Sequence, residues 1–239
     1  MDNTLFDILI GGIPQELRVE EVLPGASWTS ARLSNGCVGI AAHFAGNAGN
    51  LAASMAGMSA REAAGSVHDG DWEAAGMGLA VINAFYNSVS RLSELDCGVS
   101  YETFCTDGLS LSGKTVGVIG RMRRTAEHLF GAKQVYIFEL EPREGESPAS
   151  DEAILLPECD IVIATGTSLM NHTLPEILEY SKSALVIFLG PSVPMCPDLR
   201  SCGIERLSGL VISEKDAFWS WNQVSRGSPM SFGKSFLIR

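Results

Sequence analysis

Four short stretches of this chain concentrate the glycines, hydroxyls and charges that could do chemistry. They are Gly120-Arg-Met-Arg-Arg-Thr125, Glu139-Leu-Glu-Pro142, Thr165-Gly-Thr-Ser168 with Asn171-His-Thr173, and Gly190-Pro-Ser192. Each follows an apolar run of strand length. The third stretch is the most informative. Hydroxyls, a flexible glycine and a helix start make a nest of donors suited to a carboxylate, a phosphate or an oxygen-rich chelate. Ser168 is equally explained as a plain helix N-cap. Arg121, Arg123 and Arg124 at a helix start oppose the helix dipole. Either Glu127, Glu139 or Glu141 pairs with them, or an anionic ligand does.

Two familiar chemistries are not expected. Residues 113–120 look like the first strand of a nicotinamide-cofactor site, and Glu139 follows Gly120 by nineteen residues, where a ribose-binding acid stands. The later glycines of that motif are missing, and Met122 and Arg123 crowd the place where pyrophosphate needs bare backbone, so NAD is not expected. No hydrolase elbow of the GxSxG type occurs. Metal ligation is open. Glu139, Glu141 and His172, with Asn171 nearby, are oxygen and nitrogen donors that suit a divalent transition metal. The spacings of Cys37 with His43 and of Cys196 with Cys202 match no zinc pattern.

The elements that must carry these loops are legible as alternation. Residues 114–119, 134–138, 160–164, 184–189 and 210–212 are continuous Val/Ile-rich runs. Helical stretches separate them at 125–130, 151–156, 169–180 and 214–222. Such runs predict parallel strands buried on both faces, a doubly wound Rossmann-like sheet. Ligands in that fold bind beyond the carboxyl ends of the strands, where all four loops would meet. The first part of the chain reads as α+β. A helix is expected at 4–10, strands at 18–22, 27–33 and 37–43, and a hairpin turn at Ser34-Asn-Gly36. A capping box is expected at Ser59 and Glu62, then a buried helix from Asp69 or Asp71 to Tyr86. Asn83 in that helix must have a partner, either backbone of a neighbouring strand or a ligand in a cleft. The expected organisation is a domain at 1–90, a linker at 91–113 and the α/β domain at 114–239.

Composition sets the outer limits. The 239 residues are 46% hydrophobic and 19% charged, with 28 acidic against 17 basic residues and a net charge of −11. That balance argues against nucleic acid, whose binders need a basic surface. No apolar run approaches the ~20 residues of a membrane span. The N-terminus has no basic stretch resembling a secretory signal, so a cytoplasmic location is the expectation. The six cysteines form no CxxC pair and are expected as free thiols. Trp219, Trp221 and the tail at 235–238 point to a homodimer surface or to docking on the chain's own domain.

Three segments together resemble a known family. They are Ile163-Ala-Thr-Gly-Thr-Ser-Leu-Met-Asn-His-Thr-Leu174, Leu189-Gly-Pro-Ser-Val-Pro194 and Cys202-Gly-Ile-Glu-Arg-Leu-Ser-Gly209. They are similar to the signatures of the heavy-metal chelatase family, whose activity is unassigned. That family pairs a Rossmann-like domain with a smaller one resembling the N-terminal domain of enolase. Residues 28–44, and 76–84 with Asn83, are similar to that partner. The resemblance implies a site in the cleft between the two domains and a role in metal binding. Its expected ligand-binding residues are Gly120, Arg121, Thr165, Gly166, Thr167, Asn171, Thr173, Gly190, Pro191, Ser192 and Asn83. One departure stands out. Arg121-Met122-Arg123 occupy the place where the family has a His or aromatic followed by Pro, which favours an anion-binding loop over a ligating one. Besides metal or small-ligand binding, two alternatives stay open: an enzyme for a nucleotide-like or carboxylate-bearing molecule, and a non-catalytic interaction protein.

Overall fold

A fifteen-residue helix with almost no polar face lies at the centre of the structure, and its surroundings explain why. The computed structural model describes residues 4–100 and 104–239. Helix α1 (Thr4–Gly11) is followed by strands β1 (Val19–Pro24), β2 (Trp28–Leu33) and β3 (Val38–Ala42), which form a three-stranded antiparallel sheet. Gly36, at φ 72°, makes the β2–β3 turn. Two short helices, α2 (Leu51–Met55) and α3 (Ala60–Ala64), lead to the central helix α4 (Trp72–Tyr86). Asp71 caps α4, accepting from the Glu73 and Ala74 amides at 2.9 and 3.1 Å. At α3 the expected capping box is absent: the Ser59 hydroxyl donates instead to the Gln15 carbonyl at 3.3 Å.

Helix α4 packs on β2 and β3 so closely that a Cβ at Gly39 would overlap the Ala84 nitrogen. Asn83 and Asn87 follow one another by a helical turn. Asn83 Nδ2 donates to the carbonyls of Ile40 (2.7 Å) and Ser192 (3.0 Å). Asn87 Nδ2 donates to Val193 O (2.8 Å) and Leu210 O (3.3 Å), and its Oδ1 accepts from Met195 N (2.8 Å). Ser192 Oγ accepts from the Ala42 amide at 2.9 Å. Asn83 therefore bonds to backbone on both sides of it, and the helix is apolar all round because it is buried between the two halves of the chain. One continuous core runs from Leu5 and Val81 to Phe188 and Ile238.

A short helix α5 (Val89–Leu92) and strand β4 (Cys97–Val99) follow. The region read as a linker is thus partly structured: β4 joins the large sheet, and Phe104 is fully buried. The second half runs β5 (Thr115–Ile119), α6 (Thr125–His128), β6 (Gln134–Glu139), β7 (Ser147–Pro148), α7 (Glu152–Leu155), β8 (Ile161–Thr165), α8 (Thr167–Met170), α9 (Leu174–Tyr180), β9 (Leu185–Leu189), β10 (Arg206–Ile212), α10 (Lys215–Val224) and β11 (Gly233–Ile238). The sheet has eight strands in the order β4-β11-β10-β9-β8-β5-β6-β7.

Three expectations change here. The sheet is mixed, not wholly parallel. The strands from β7 to β10 pair in parallel, whereas β11 runs antiparallel to β10 and β4 antiparallel to β11. The chain turns back after α10, so the apolar tail becomes an internal strand. Trp219 is buried beside Arg32, whose guanidinium lies 4.8 Å from its ring, and Trp221 packs on Phe218 and Phe232. The features that pointed to a homodimer surface serve this chain's own packing. The helix expected at 169–180 is broken, because His172 adopts φ 60° between α8 and α9.

Asn87 has the largest share of the seam. Asn87→Ala leaves up to three buried backbone groups unpaired, each worth about 1–3 kcal/mol. We expect it to lower the unfolding free energy by about 2–3 kcal/mol in a urea titration. A loss below about 0.5 kcal/mol would contradict this placement.

Candidate functional site

The order of the large sheet fixes where a ligand can enter. From β5 the chain passes to β6 on one side, then returns to β8 on the other. The point where the direction reverses opens a crevice beyond the carboxyl ends of β5 and β8. A cleft of about 330 Å³ is found there, lined by Ile119, Gly120 and Arg121 after β5, Phe138 and Glu139 at β6, and Thr165, Thr167, Asn171 and Thr173 after β8. Gly120, at φ 88°, lets the chain leave β5 against Thr165, whose Cγ2 lies 2.9 Å from where a Cβ would stand. The N-terminal half supplies Phe44 and Trp72, whose rings meet edge to face at 5.4 Å. The cleft therefore lies between the two halves.

Its charges are mostly engaged with one another. Arg121 forms a two-pronged pair with Glu146, Nε to Oε1 at 2.7 Å and Nη2 to Oε2 at 2.6 Å. Glu139 accepts from the Arg121 amide, and its carboxylate lies 3.9 Å from the guanidinium. The Arg121 side chain together with the Arg143 amide holds the Glu146 carboxyl down at about 2. Arg124 pairs with Glu127. Local pairing therefore accounts for Arg121 and Arg124 of the arginine loop. Asn171 Oδ1 accepts from Thr173 N (3.2 Å) and Thr173 Oγ1 (2.8 Å), a local turn that holds both residues at the cleft. Ser168 Oγ donates to Thr165 O at 2.7 Å.

Glu152 was not anticipated. It is 9% exposed, at the start of α7, and lines the cleft. Burial, with the Glu176 carboxylate adding to it, pushes its carboxyl up to about 7. Only its surroundings mark it. In sequence it is one of 28 acids, two residues before Ile154, which is exposed.

Several expected site residues lie elsewhere. His172 does not reach the cleft: its Nε2 is 2.8 Å from the Val67 carbonyl, and its ring stands edge-on to Phe6. The unusual φ at His172 turns the imidazole toward the N-terminal half. Glu141 is exposed and contributes its carbonyl to Arg121 at 3.3 Å. Gly166 packs against the Ser192 carbonyl carbon, 2.7 Å from where a Cβ would stand, so its role is close approach of two loops. Ser192 and Asn83 belong to the seam. Gly190 and Pro191 line a different cavity, with Arg123, Arg124 and His128.

Residues 108–235 match the family model DUF364 and residues 6–86 the model DUF4213, both described as "Putative heavy-metal chelation". The chain belongs to this family. A crystal structure of a DUF364 protein of unknown function from Desulfitobacterium hafniense is 29% identical. It superposes with a TM-score of 0.89 over 99% of this chain and 97% of that one. A second DUF364 protein of unknown function, from Pyrococcus horikoshii, shares the fold at 19% identity, with a TM-score of 0.83 over 98% of this chain and 99% of that one. An uncharacterized protein of Methanocaldococcus jannaschii is 29% identical over 113 residues, 45% of this chain and 42% of that protein. This chain thus matches less than half the length of that curated relative.

The family description implies a metal, and the donors in the structure can be tested against it. Among the described residues no three His, Cys, Asp or Glu side chains converge on one point. Glu139 is engaged with the arginine loop, His172 faces away, and none of the six cysteines is among the residues lining the cleft. Burial pushes the Cys159 thiol up to about 11 and the Cys196 thiol above its ordinary value, away from the thiolate form that binds metal. Glu139, Glu141 and His172 are not brought together, and these residues do not fit a metal centre built from protein side chains alone.

The Arg121–Glu146 pair yields a pH test. A carboxyl held at about 2, against an ordinary 4.5, adds stability that is present above pH 4.5 and is lost as pH falls toward 2. Glu146→Gln should therefore flatten the fall in unfolding free energy across that window, followed by urea titration at stepped pH. Parallel curves for the two proteins would remove the pair from the account.

Proposed function

We propose that this protein binds a small organic molecule in the cleft between its two halves. The observation that carries this reading is the position of the cleft: the topological switch point of the sheet, closed on its open side by Phe44 and Trp72. The ligand's body lies against Phe44, Trp72, Phe138 and Met170. Its polar groups meet Thr165, Thr167, Asn171 and Thr173, with Gly120 and Arg121 bounding the β5 side. Apolar walls with a few placed polar groups are the usual form of small-molecule sites. The Val/Ile strands joined by helices support a Rossmann-like origin for this half. The strands-then-helix order of the N-terminal half supports the likeness to the enolase partner domain.

The family description supports a second reading, in which the cargo is a divalent transition metal carried inside an organic chelate. The chelate brings most of the donors, and the protein adds at most a carboxylate. Both readings put the recognised molecule in the same cleft.

Equilibrium dialysis of untagged full-length protein against Ni, Co, Zn and Fe(II) salts separates these readings from simple ion binding. Thermal-shift screening with organic amines, organic acids, nucleotides and metal–chelator complexes accompanies it. We expect no bare ion to be retained at one per chain. At least one organic compound or complex should stabilise the fold, by about 2.7 kcal/mol when present at about 100 times its Kd. Thr167→Trp, which fills the cleft, should abolish that shift. Retention of a bare ion at one per chain, surviving Thr167→Trp, would overturn the proposal.

A further inference from the structure

Glu152 lines the cleft, and among the described residues its carboxylate has no hydrogen-bond or ion-pair partner. The residue as a whole is 9% exposed. Burial and, after it, the Glu176 carboxylate push its carboxyl up. Buried carboxylates in folded proteins are ordinarily paired, because an unpaired charge away from water is strongly disfavoured. Arg121 cannot serve as that partner, since Glu146 and Glu139 already hold it.

The rest of the cleft points the same way. Its charges are one guanidinium engaged by two acids, plus Glu152, so the balance is acidic in a chain whose net charge is −11. Such a field attracts cations and repels anions. Phe44 and Trp72 line the cleft with their rings edge to face, each 37% exposed, so both present aromatic surface to it. Aromatic rings beside a carboxylate are the recurring means of holding an organic ammonium ion.

We infer that the cleft takes an organic cation, an apolar or aromatic body bearing a protonated amine or quaternary ammonium, with Glu152 as its counter-ion and Phe44 and Trp72 against its body. This rests on the cleft being the ligand site. It also replaces the anion-binding role that the arginine loop suggested for this part of the chain.

Glu176 on α9 acts on Glu152, while Glu139 at the end of β6 and Arg121 line the same cleft. Glu176 raises it and Arg121 is neutralised, so Glu152 carries its charge above about 7 and loses it below. Attraction for a cation should therefore grow as pH rises through that value, while a neutral probe should bind equally on either side.

Isothermal titration of full-length protein with benzylamine and with its neutral counterpart, benzyl alcohol, tests this at about pH 8 and about pH 5.5, where the amine is protonated throughout. At the higher pH the ammonium should bind at least about tenfold more tightly than the alcohol. The ratio should fall toward one at the lower pH and in Glu152→Gln at both. Glu152→Asp, which keeps the charge, should retain the preference, and the wild-type pH profile carries the test without any variant. Equal binding of the two probes to wild type, no binding of either, or a preference that survives Glu152→Gln would each overturn the inference. Failure of the cleft as the site reads differently: Thr167→Trp would then leave binding of both probes unchanged.

Discussion

Two asparagine side chains, one in the last turn of a buried helix and one capping its end, hold the molecule's two halves in register. Asn83 and Asn87 bond to backbone at β3, at β10 and along the 192–195 loop. Ser192 returns a bond to β3. Amides buried in so apolar a setting have no water to fall back on, so each bond resists any sliding of one half on the other. The glycines complete the contact: Gly39 admits the helix to β3, and Gly166 admits the β8 loop to Ser192. Because the halves are fixed this way, Phe44 and Trp72 stand over the strand ends of the other half. Without the seam there would be an open sheet edge and no cleft.

The charges inside the cleft divide into a satisfied group and an unsatisfied one. Arg121, Glu139 and Glu146 form a closed set that braces the loops after β5 and β6. A brace of this kind is poorly suited to metal ligation, since each carboxylate drawn to a metal would leave the guanidinium short of a partner. Glu152 stands apart from the set and carries the functional weight of the account.

Much of the fold was legible in the sequence, because period and punctuation carry it. The Val/Ile runs read at 114–119, 160–164 and 184–189 are too short for helices and lie between helical stretches, which marks them as strands covered on both faces, and the alternate residues of β8 do enter different clusters, Ile161 and Ile163 in one, Val162 and Ala164 in the other. The antiparallel strands β4 and β11 were not legible. Their residues alternate weakly, and their direction is decided by how the chain returns after α10, a tertiary matter. The break at His172 had a signal that the expected helix at 169–180 passed over: Pro175 stands in the first turn of α9, a place proline tolerates at a helix start and not in a helix interior.

The site was legible only where topology decides it. Gly120, Thr165, Thr167, Asn171 and Thr173 follow strands whose carboxyl ends must meet, and they do line one cleft. Position after a strand could not separate these from Gly166, Gly190, Pro191 and Ser192, because loop-to-loop packing and ligand contact use the same small and hydroxylic residues. Glu152, Phe44 and Trp72 belong to elements with no motif at all. What distinguishes Glu152 is burial without a side-chain partner among the described residues, a property of three-dimensional surroundings.

A crystal structure of the untagged protein with whatever it retains through purification addresses the central claim most directly. The account predicts an organic molecule in the cleft, its body against Trp72 and a cationic group within hydrogen-bonding distance of Glu152. A metal ion held by protein side chains alone, or a ligand seated elsewhere with Glu152 left unbonded, would contradict it.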